Sequence, residues 1–306
     1  MKFDYKYYMS NPLKLIIRLF RNNVFRLIGD SLYLKLLWKA NFHTKLNLDS
    51  PSTFNEKIQY LKLKNRDPRY TKMVDKYETK KYVAGIIGEG HIIPTYGIWN
   101  NFDEIDFDSL PDKFVLKCTH DSGGLAICRD KDTFDYKAAR TKINKSVRRD
   151  YYWLSREWPY KNVPHRIIAE KYMEETYGEN ELVGLVDYKF FCFDRVPKFL
   201  YISKGLENHK TARISFFDLK GELLPFYRSD YKQMSEVSLP SNYDEMLDIA
   251  TRLAEDVNAP FVRIDLYSIG GNTFFSEITF SPCGGFLPFQ PVEWDERLGE
   301  YLNLEK

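Results

Sequence analysis

Phe114-Val-Leu-Lys-Cys-Thr-His-Asp-Ser-Gly-Gly124 decides how this chain is read, together with Val262-Arg-Ile-Asp-Leu266 and Phe275-Ser-Glu-Ile-Thr279 far downstream. The first stretch is an apolar, strand-forming run that ends in a lysine and a glycine-rich turn. In that geometry an ammonium and successive backbone N–H groups can hold phosphate oxygens. The second pair of segments offers two carboxylates, Asp265 and Glu277, on runs patterned as neighbouring strands. Together they can hold Mg²⁺, a hard cation that takes a few carboxylates plus substrate phosphate oxygens. The combination points to a nucleoside triphosphate site.

Working outward, the chain reads as helices interspersed with hairpins. Thr53-Phe-Asn-Glu56 is a capping-box signature that opens a helix to about Lys64. A second helix is expected from about Thr71 to Ile87, ending before Gly88 and Gly90, and others over 135–149 and 244–258. Strands are expected at 93–98, 114–118, 125–129, 166–172, 187–193, 198–203, 212–218, 222–227, 261–267 and 273–280. Leu219-Lys-Gly221 and Gly270-Gly-Asn272 read as hairpin turns. The prevalence of hairpins argues for an α+β architecture rather than a doubly wound parallel sheet.

Composition excludes more than it identifies. The chain has 306 residues, a hydrophobic fraction of 43%, a charged fraction of 29% and a net charge of +2. These are the values of a soluble globular protein with ample core, and not of a strongly basic nucleic-acid binder. The aromatic fraction of 16% fits a β-rich interior or a sugar-facing surface equally well. Cys118, Cys128, Cys192 and Cys283 are scattered and read as buried free thiols, which indicates a cytoplasmic protein. No apolar run reaches the length of a membrane span, and the N-terminus lacks a secretory h-region. Residues 1–40 nevertheless carry eight basic residues against Asp4 and Asp30. Leu13, Ile16, Ile17, Phe20, Val24, Leu27 and Ile28 recur among them at helical spacing. Such a basic amphipathic segment either packs on the main body or lies as a peripheral contact on the anionic inner face of a membrane.

These segments, in this order, resemble the ATP-grasp superfamily, and the likeness to D-alanine–D-alanine ligases runs through most of the chain after residue 72. Val74-Asp-Lys-Tyr-Glu-Thr-Lys80 is similar to the ligase segment that supplies the first phosphate lysine, here Lys76. Phe114-Val-Leu-Lys117 is similar to the strand of the second ATP lysine, and His120-Asp-Ser122-Gly123-Gly124 to the lid over the phosphates. Ile167-Ile-Ala-Glu-Lys-Tyr-Met173 resembles the hinge strand. Glu170 would there accept from the adenine amino group, and the Lys171, Tyr172 and Met173 backbone would read the purine edge. Arg263, Asp265 and Glu277 match the arginine and two metal carboxylates, with Thr279 where the ligases place Asn. Phe54-Asn-Glu-Lys57, Trp158-Pro-Tyr160, Asp187-Tyr-Lys-Phe-Phe191 and Glu277-Ile-Thr-Phe-Ser-Pro282 are closer to the teichuronopeptide-biosynthesis branch, associated with capsular and surface polysaccharides.

The resemblance implies an ATP-grasp fold of two α+β subdomains clasping ATP. Residues 1–50 would form a basic helical extension and 51–110 a helical region. Residues 111–306 would form the ATP-grasp domain, its lid subdomain over 111–172 and its metal-binding subdomain over 173–306. It further implies an ATP- and Mg²⁺-dependent ligase that joins the carboxylate of a glycan to an amine or amino acid through an acylphosphate. Lys76 and Lys117 would neutralise ATP phosphates, and Arg263 would stabilise the transferring phosphoryl group. Asp187 and Lys189 share one strand face; they could pair with each other or contact ribose or phosphates. His120 could close the lid or be structural, and Trp153, Trp158 and Tyr160 could stack on sugar or pack in the core.

Two other enzyme classes fit parts of the sequence. A glycosyltransferase would need an Asp-x-Asp metal motif, available only at Asp106-Phe-Asp108 and Asp130-Lys-Asp132, in segments that look like solvated turns. A phosphotransferase would share the ATP half of the site.

Overall fold

The computed structural model describes residues 26–174, 185–206, 211–234 and 237–304. The basic stripe from Leu13 to Val24 lies outside them. Leu27, at its end, is exposed. Ile28 packs against the cluster formed by helix α1 (Asp30–Phe42), which buries Tyr33, Leu34, Leu37 and Trp38.

Two antiparallel sheets dominate the described chain. The first has four strands in the order β1 (Thr95–Trp99), β4 (Ile167–Lys171), β2 (Phe114–Cys118), β3 (Leu125–Cys128). Phe114, Leu116, Cys118, Ile167 and Ala169 pack with Ala139 and Ile143 of helix α5 (Tyr136–Val147). Alternation then turns Val115, Lys117, Ile168 and Glu170 to the opposite face. The strand expected at 93–98 is β1, which the segment 51–110 contributes as an edge strand of the four-stranded unit.

The second sheet runs β10 (Asn272–Thr279), β9 (Phe261–Ile269), β5 (Asp187–Phe193), β6 (Val196–Lys204), β7 (Arg213–Phe217). On one face, Tyr188, Phe190, Cys192, Val262, Ile264 and Leu266 pack with helices α4 (Glu78–Ile87) and α7 (Tyr243–Val257). α7 ends at Asn258 in the left-handed conformation that stops helices. The other face carries a phenylalanine cluster, Phe191, Phe193, Phe199, Phe216 and Phe261, closed by Phe54 and Ile58 of helix α2 (Phe54–Lys64). Much of the aromatic content therefore lies in the core. The opposite end of this same face carries Asp187, Lys189, Arg263 and Asp265.

Three local departures from the sequence expectations matter. The helix expected over 71–87 is broken into α3 (Arg69–Val74) and α4, with Asp75 extended between them. The Asp75 carboxylate accepts the N–H groups of Tyr77 and Glu78 at 2.9 and 3.3 Å, a capping arrangement inside the segment. The strand expected at 222–227 is only a bridge at Leu223; Tyr227–Arg228 (β8) pairs instead with Phe289–Gln290 (β11). Finally, β10 bulges between Phe275 and Glu277.

Cys118, Cys128 and Cys192 are buried and free, as expected, but Cys283 is exposed. Among the described residues, no helix is long and apolar enough to cross a membrane.

Candidate active site

The open face of the four-stranded sheet meets the charged end of the five-stranded sheet across a cavity of about 360 Å³. Val115, Leu125, Ile127 and the backbone stretch Lys171–Met173 form its apolar and hinge sides, with Lys117, Glu170, Ser122, Asp187 and Tyr267 as polar lining. Glu170 lies opposite Val115 in the β2–β4 ladder, so Lys117, two residues along β2, rises beside it. Their charges meet at 2.6 Å, and Lys80, not anticipated from the sequence, closes on the other carboxylate oxygen at 2.5 Å. Burial pushes the Glu170 carboxyl upward, but Lys117 and Lys80 outweigh it and hold the group below its ordinary range. Burial likewise disfavours the Lys117 ammonium, yet Glu170 holds it above the usual lysine value. A partly apolar cavity of this size, with a buried carboxylate and an ammonium in its lining, has the polarity for a purine ring and phosphates.

Those charges continue across the second sheet as a register-matched row. Lys189 faces Asp265 across β5–β9, and Asp265 faces Glu277 across β9–β10. Lys189 donates to Asp187 at 2.9 Å and to Asp265 at 2.8 Å. Arg263 grips both oxygens of Asp265 at 2.6 Å and reaches Glu277 at 3.0 Å. Burial holds the Asp265 carboxyl above its ordinary range, against the downward pull of Arg263 and Lys189 at bonding distance. Glu277 is opposed by burial too, but Lys76, Arg263 and Lys189 hold it down to about 2. The Thr279 hydroxyl donates to Glu277 at 2.9 Å and accepts from Arg263 at 3.1 Å. The bulge at Ser276 is what makes this row. Strict alternation from the buried Phe275 would turn Glu277 toward the apolar face, and the extra residue turns it beside Asp265.

Could this set hold Mg²⁺? Among the described residues, no group of three or more His, Cys, Asp or Glu could hold a metal ion. Two adjacent carboxylates and a hydroxyl are an all-oxygen set; Asp265 Oδ2 and Glu277 Oε1 each accept two hydrogen bonds, which leaves Asp265 Oδ1, with one, and Glu277 Oε2 to turn lone pairs to a cation. They fit a hard cation that retains waters and phosphate oxygens, as Mg²⁺ does.

A second cavity of about 220 Å³ adjoins this row and shares Ser122 with the first. Its lining includes Lys76, Lys189, Arg263, Glu277, Thr279 and, unanticipated from sequence, Arg228 and Glu157. Lys76 sits in the break between α3 and α4, and its ammonium donates to the Asp121 carbonyl at 2.8 Å, which ties it to the glycine-rich turn. Tyr160 lines this cavity, whereas the Trp153 indole donates to Asp150 at 2.7 Å and stacks on Arg156.

Two turn residues sit differently from the lid reading. The His120 ring is fully buried, stacked 3.8 Å from His165, with Nε2 shared by the Ser146 and Arg149 carbonyls, so it supports the turn from behind. The Gly124 N–H points to Asp121 Oδ1 at 3.2 Å and not outward to a phosphate. Gly124 is required for space, since a Cβ would stand 2.7 to 2.8 Å from Asp121, Cys118 and Ser146. Ser122 remains at the cavity edge, and Gly123 takes the turn at φ 103°. The two Asp-x-Asp motifs cap their own turns, Asp106 accepting the Asp108 N–H and Asp130 the Asp132 N–H, and both donor residues are exposed at the surface.

None of the curated proteins matches the chain significantly. Solved structures similar to it include the D-alanine–D-alanine ligase of Helicobacter pylori, with 17% identity over 82% of this chain and 68% of that one and a TM-score of 0.46. The Bacillus anthracis D-alanine–D-alanine ligase complexed with ATP shows 14% identity over 68% of this chain and 53% of its own, with a TM-score of 0.38. The ATP-grasp ligase PsnB, complexed with a phosphomimetic precursor variant, Mg and ADP, shows 12% identity over 81% and 65% of the two chains, with a TM-score of 0.43. The chain thus spans only about half the length of the Bacillus anthracis enzyme. The profile of the TupA-like ATPgrasp family matches residues 56–303. That match takes in most of the chain, so the protein belongs to the TupA-like ATPgrasp family, and its pair of antiparallel sheets with flanking helices is an ATP-grasp fold.

Proposed function

We propose that this protein is an ATP-dependent ligase that joins a carboxylate to an amine through an acylphosphate. The carboxylate is that of a uronic acid in a surface or capsular polysaccharide or its precursor, and the nucleophile is an amino acid or amine. The observation that carries the ligase reading is the row Lys189, Asp265, Glu277, Arg263, of which Lys189, Glu277 and Arg263 line the smaller cavity, while Asp187, paired with Lys189, lines the larger. One cavity would take the nucleotide and the other the reacting groups, with the phosphoryl-handling charges between them. The polysaccharide reading rests on the sequence likeness to the teichuronopeptide branch.

Two anionic reactants must meet, so positioning and charge neutralisation supply most of the acceleration. Glu170 would accept from the adenine amino group, and the Lys171–Met173 backbone would follow the purine edge. Lys117 and Lys76 would receive phosphate oxygens, Lys76 leaving its carbonyl partner. Asp265 and Glu277, steadied by Thr279, would hold Mg²⁺, which when bound neutralises the β- and γ-phosphates. Arg263 would face the oxygen that gains charge as the phosphoryl group moves to the carboxylate. Residues 1–40 would bring the enzyme to the inner membrane face. Failure of the full chain to sediment with anionic liposomes at physiological salt would sink that part of the proposal.

The ligase is tested by ADP and phosphate release from MgATP across uronic-acid oligosaccharides crossed with amino acids, using wild type and Lys117→Ala. Turnover should require both partners and fall by roughly 10²- to 10³-fold in the variant. ADP release that needs no amine would instead indicate a phosphotransferase.

A further inference from the structure

Glu157 is the one cavity-lining carboxylate that the charge network leaves over. Every other carboxylate named at the two cavities has a cation at bonding distance: Glu170 has Lys80 and Lys117, Asp187 has Lys189, and Glu277 has Arg263. Glu157 is 5% exposed and lines the smaller cavity. Its Oε1 accepts only the Ser155 hydroxyl, at 2.6 Å, and among the described residues no lysine or arginine forms an ion pair with it. Lys62, the buried cation that pulls on it most strongly, spends its three N–H bonds elsewhere, on Gln59 Oε1 and the Ser155 and Gly284 carbonyls.

The position is held rigidly. The preceding Arg156 adopts a left-handed backbone at φ 55°, and its buried guanidinium lies over the Tyr33 and Trp153 rings with Asp30 at 3.2 Å. A buried carboxylate with no ion-pair partner favours the arrival of a positive group. Tyr151 and Tyr160 line the same cavity, their rings meeting edge to face at 4.9 Å. The cavity, at about 220 Å³, is of a size for an amino-acid-sized group and lies against the phosphoryl-handling row.

We infer that Glu157 is the subsite for the ammonium group of the amine substrate and takes the proton that frees its lone pair. The inference rests on the ligase reading above for the identity of the reaction, but the cation subsite itself does not. An aliphatic amine is protonated at neutral pH and cannot attack. Glu157 takes one N–H proton, and the nitrogen lone pair forms the C–N bond at the acyl carbon. The bond from that carbon to the phosphate oxygen breaks, its electron pair leaves with phosphate, and phosphate takes the second N–H proton. Glu157 then returns its proton to water. Burial pushes the Glu157 carboxyl upward against the pull of Lys62, which is the direction a proton acceptor needs.

The test is ligand-observed NMR titration of the full chain with methylammonium, ethanolamine, L-alanine and L-glutamate, and with isopropanol as a neutral control, on wild type, Glu157→Gln and Glu157→Asp. A cooperative melting transition shows that each variant is folded. At least one ammonium probe should bind wild type saturably and isopropanol should not. Glu157→Gln should weaken that binding about tenfold or more, as expected for loss of a charge-assisted bond. Glu157→Asp should retain part of it, and decides the matter should Glu157→Gln not fold. No saturable ammonium binding to wild type, or equal binding in a folded Glu157→Gln, overturns the inference; so does complete loss in a folded Glu157→Asp. MgADP binding to wild type is read on the same samples. Its absence would defeat the ligase reading while leaving the ammonium result to stand or fall on its own.

Discussion

Glu170 shows how much one side chain in this cleft organises. It sits buried between Lys80 and Lys117, so its removal would strand two cations in a place with little water. Glu170→Ala should therefore destabilise the fold by about 3–5 kcal/mol, the range for breaking a buried ion pair from one side, measured by urea unfolding. His120 gives a second prediction with a definite sign. Burial and the adjacent His165 hold its imidazole down at about 4, against an ordinary 6.5. An unfolded chain takes up that proton from pH 6.5 downward and the folded one only near 4, so stability should fall as pH drops across this window. His120→Phe, which keeps a stacked ring, should flatten the slope in chemical denaturation at pH 4 to 6.5. In the sequence, Lys117 is marked by its strand and glycine-rich turn and Glu170 by the resemblance to the hinge strand, and the structure brings the two together. Lys80 and Glu157 are not so marked, since one lies among helix lysines and the other in a turn with no periodicity.

At the scale of elements, the break at Asp75 and the bulge at Ser276 do the positioning. Asp75 caps α4 through two backbone N–H groups and pairs with Arg166 at 2.7 Å. That break carries Lys76 out of a helix and onto the glycine-rich turn. Asp75→Ala loses both cap and ion pair, whereas Asp75→Asn keeps an oxygen for the cap. Asp75→Ala should accordingly be the less stable by about 1 kcal/mol or more in thermal or urea unfolding. The break had a sequence signal, Asp75-Lys-Tyr-Glu78, which has the spacing of a capping box but sits inside a longer helical pattern. By contrast, the capping box at Thr53, the helix over 243–257 and the strands at 114–118 and 187–193 were legible, because local chemistry and periodicity agree there. The bulge was not, since period-two counting through Phe275 assigns Glu277 to the wrong face. Nor was the loss of the 222–227 strand, whose partner β11 lies more than sixty residues downstream in sequence.

Over the whole molecule, the two sheets were inferable from the run of hairpins and from motif order, but their meeting surface was not. The row Lys189, Asp265, Glu277 depends on register across three strands, and no single segment encodes it. That row, facing the Lys117 and Glu170 pair across the cleft, is the basis for placing a triphosphate between the sheets. The direct measurement is calorimetric titration of MgATP into wild type and Lys117→Ala, with and without Mg²⁺. Saturable, Mg²⁺-dependent binding to wild type, weakened about tenfold or more in the variant, is the predicted result. No binding to wild type, or binding indifferent to both Mg²⁺ and Lys117, would contradict the account.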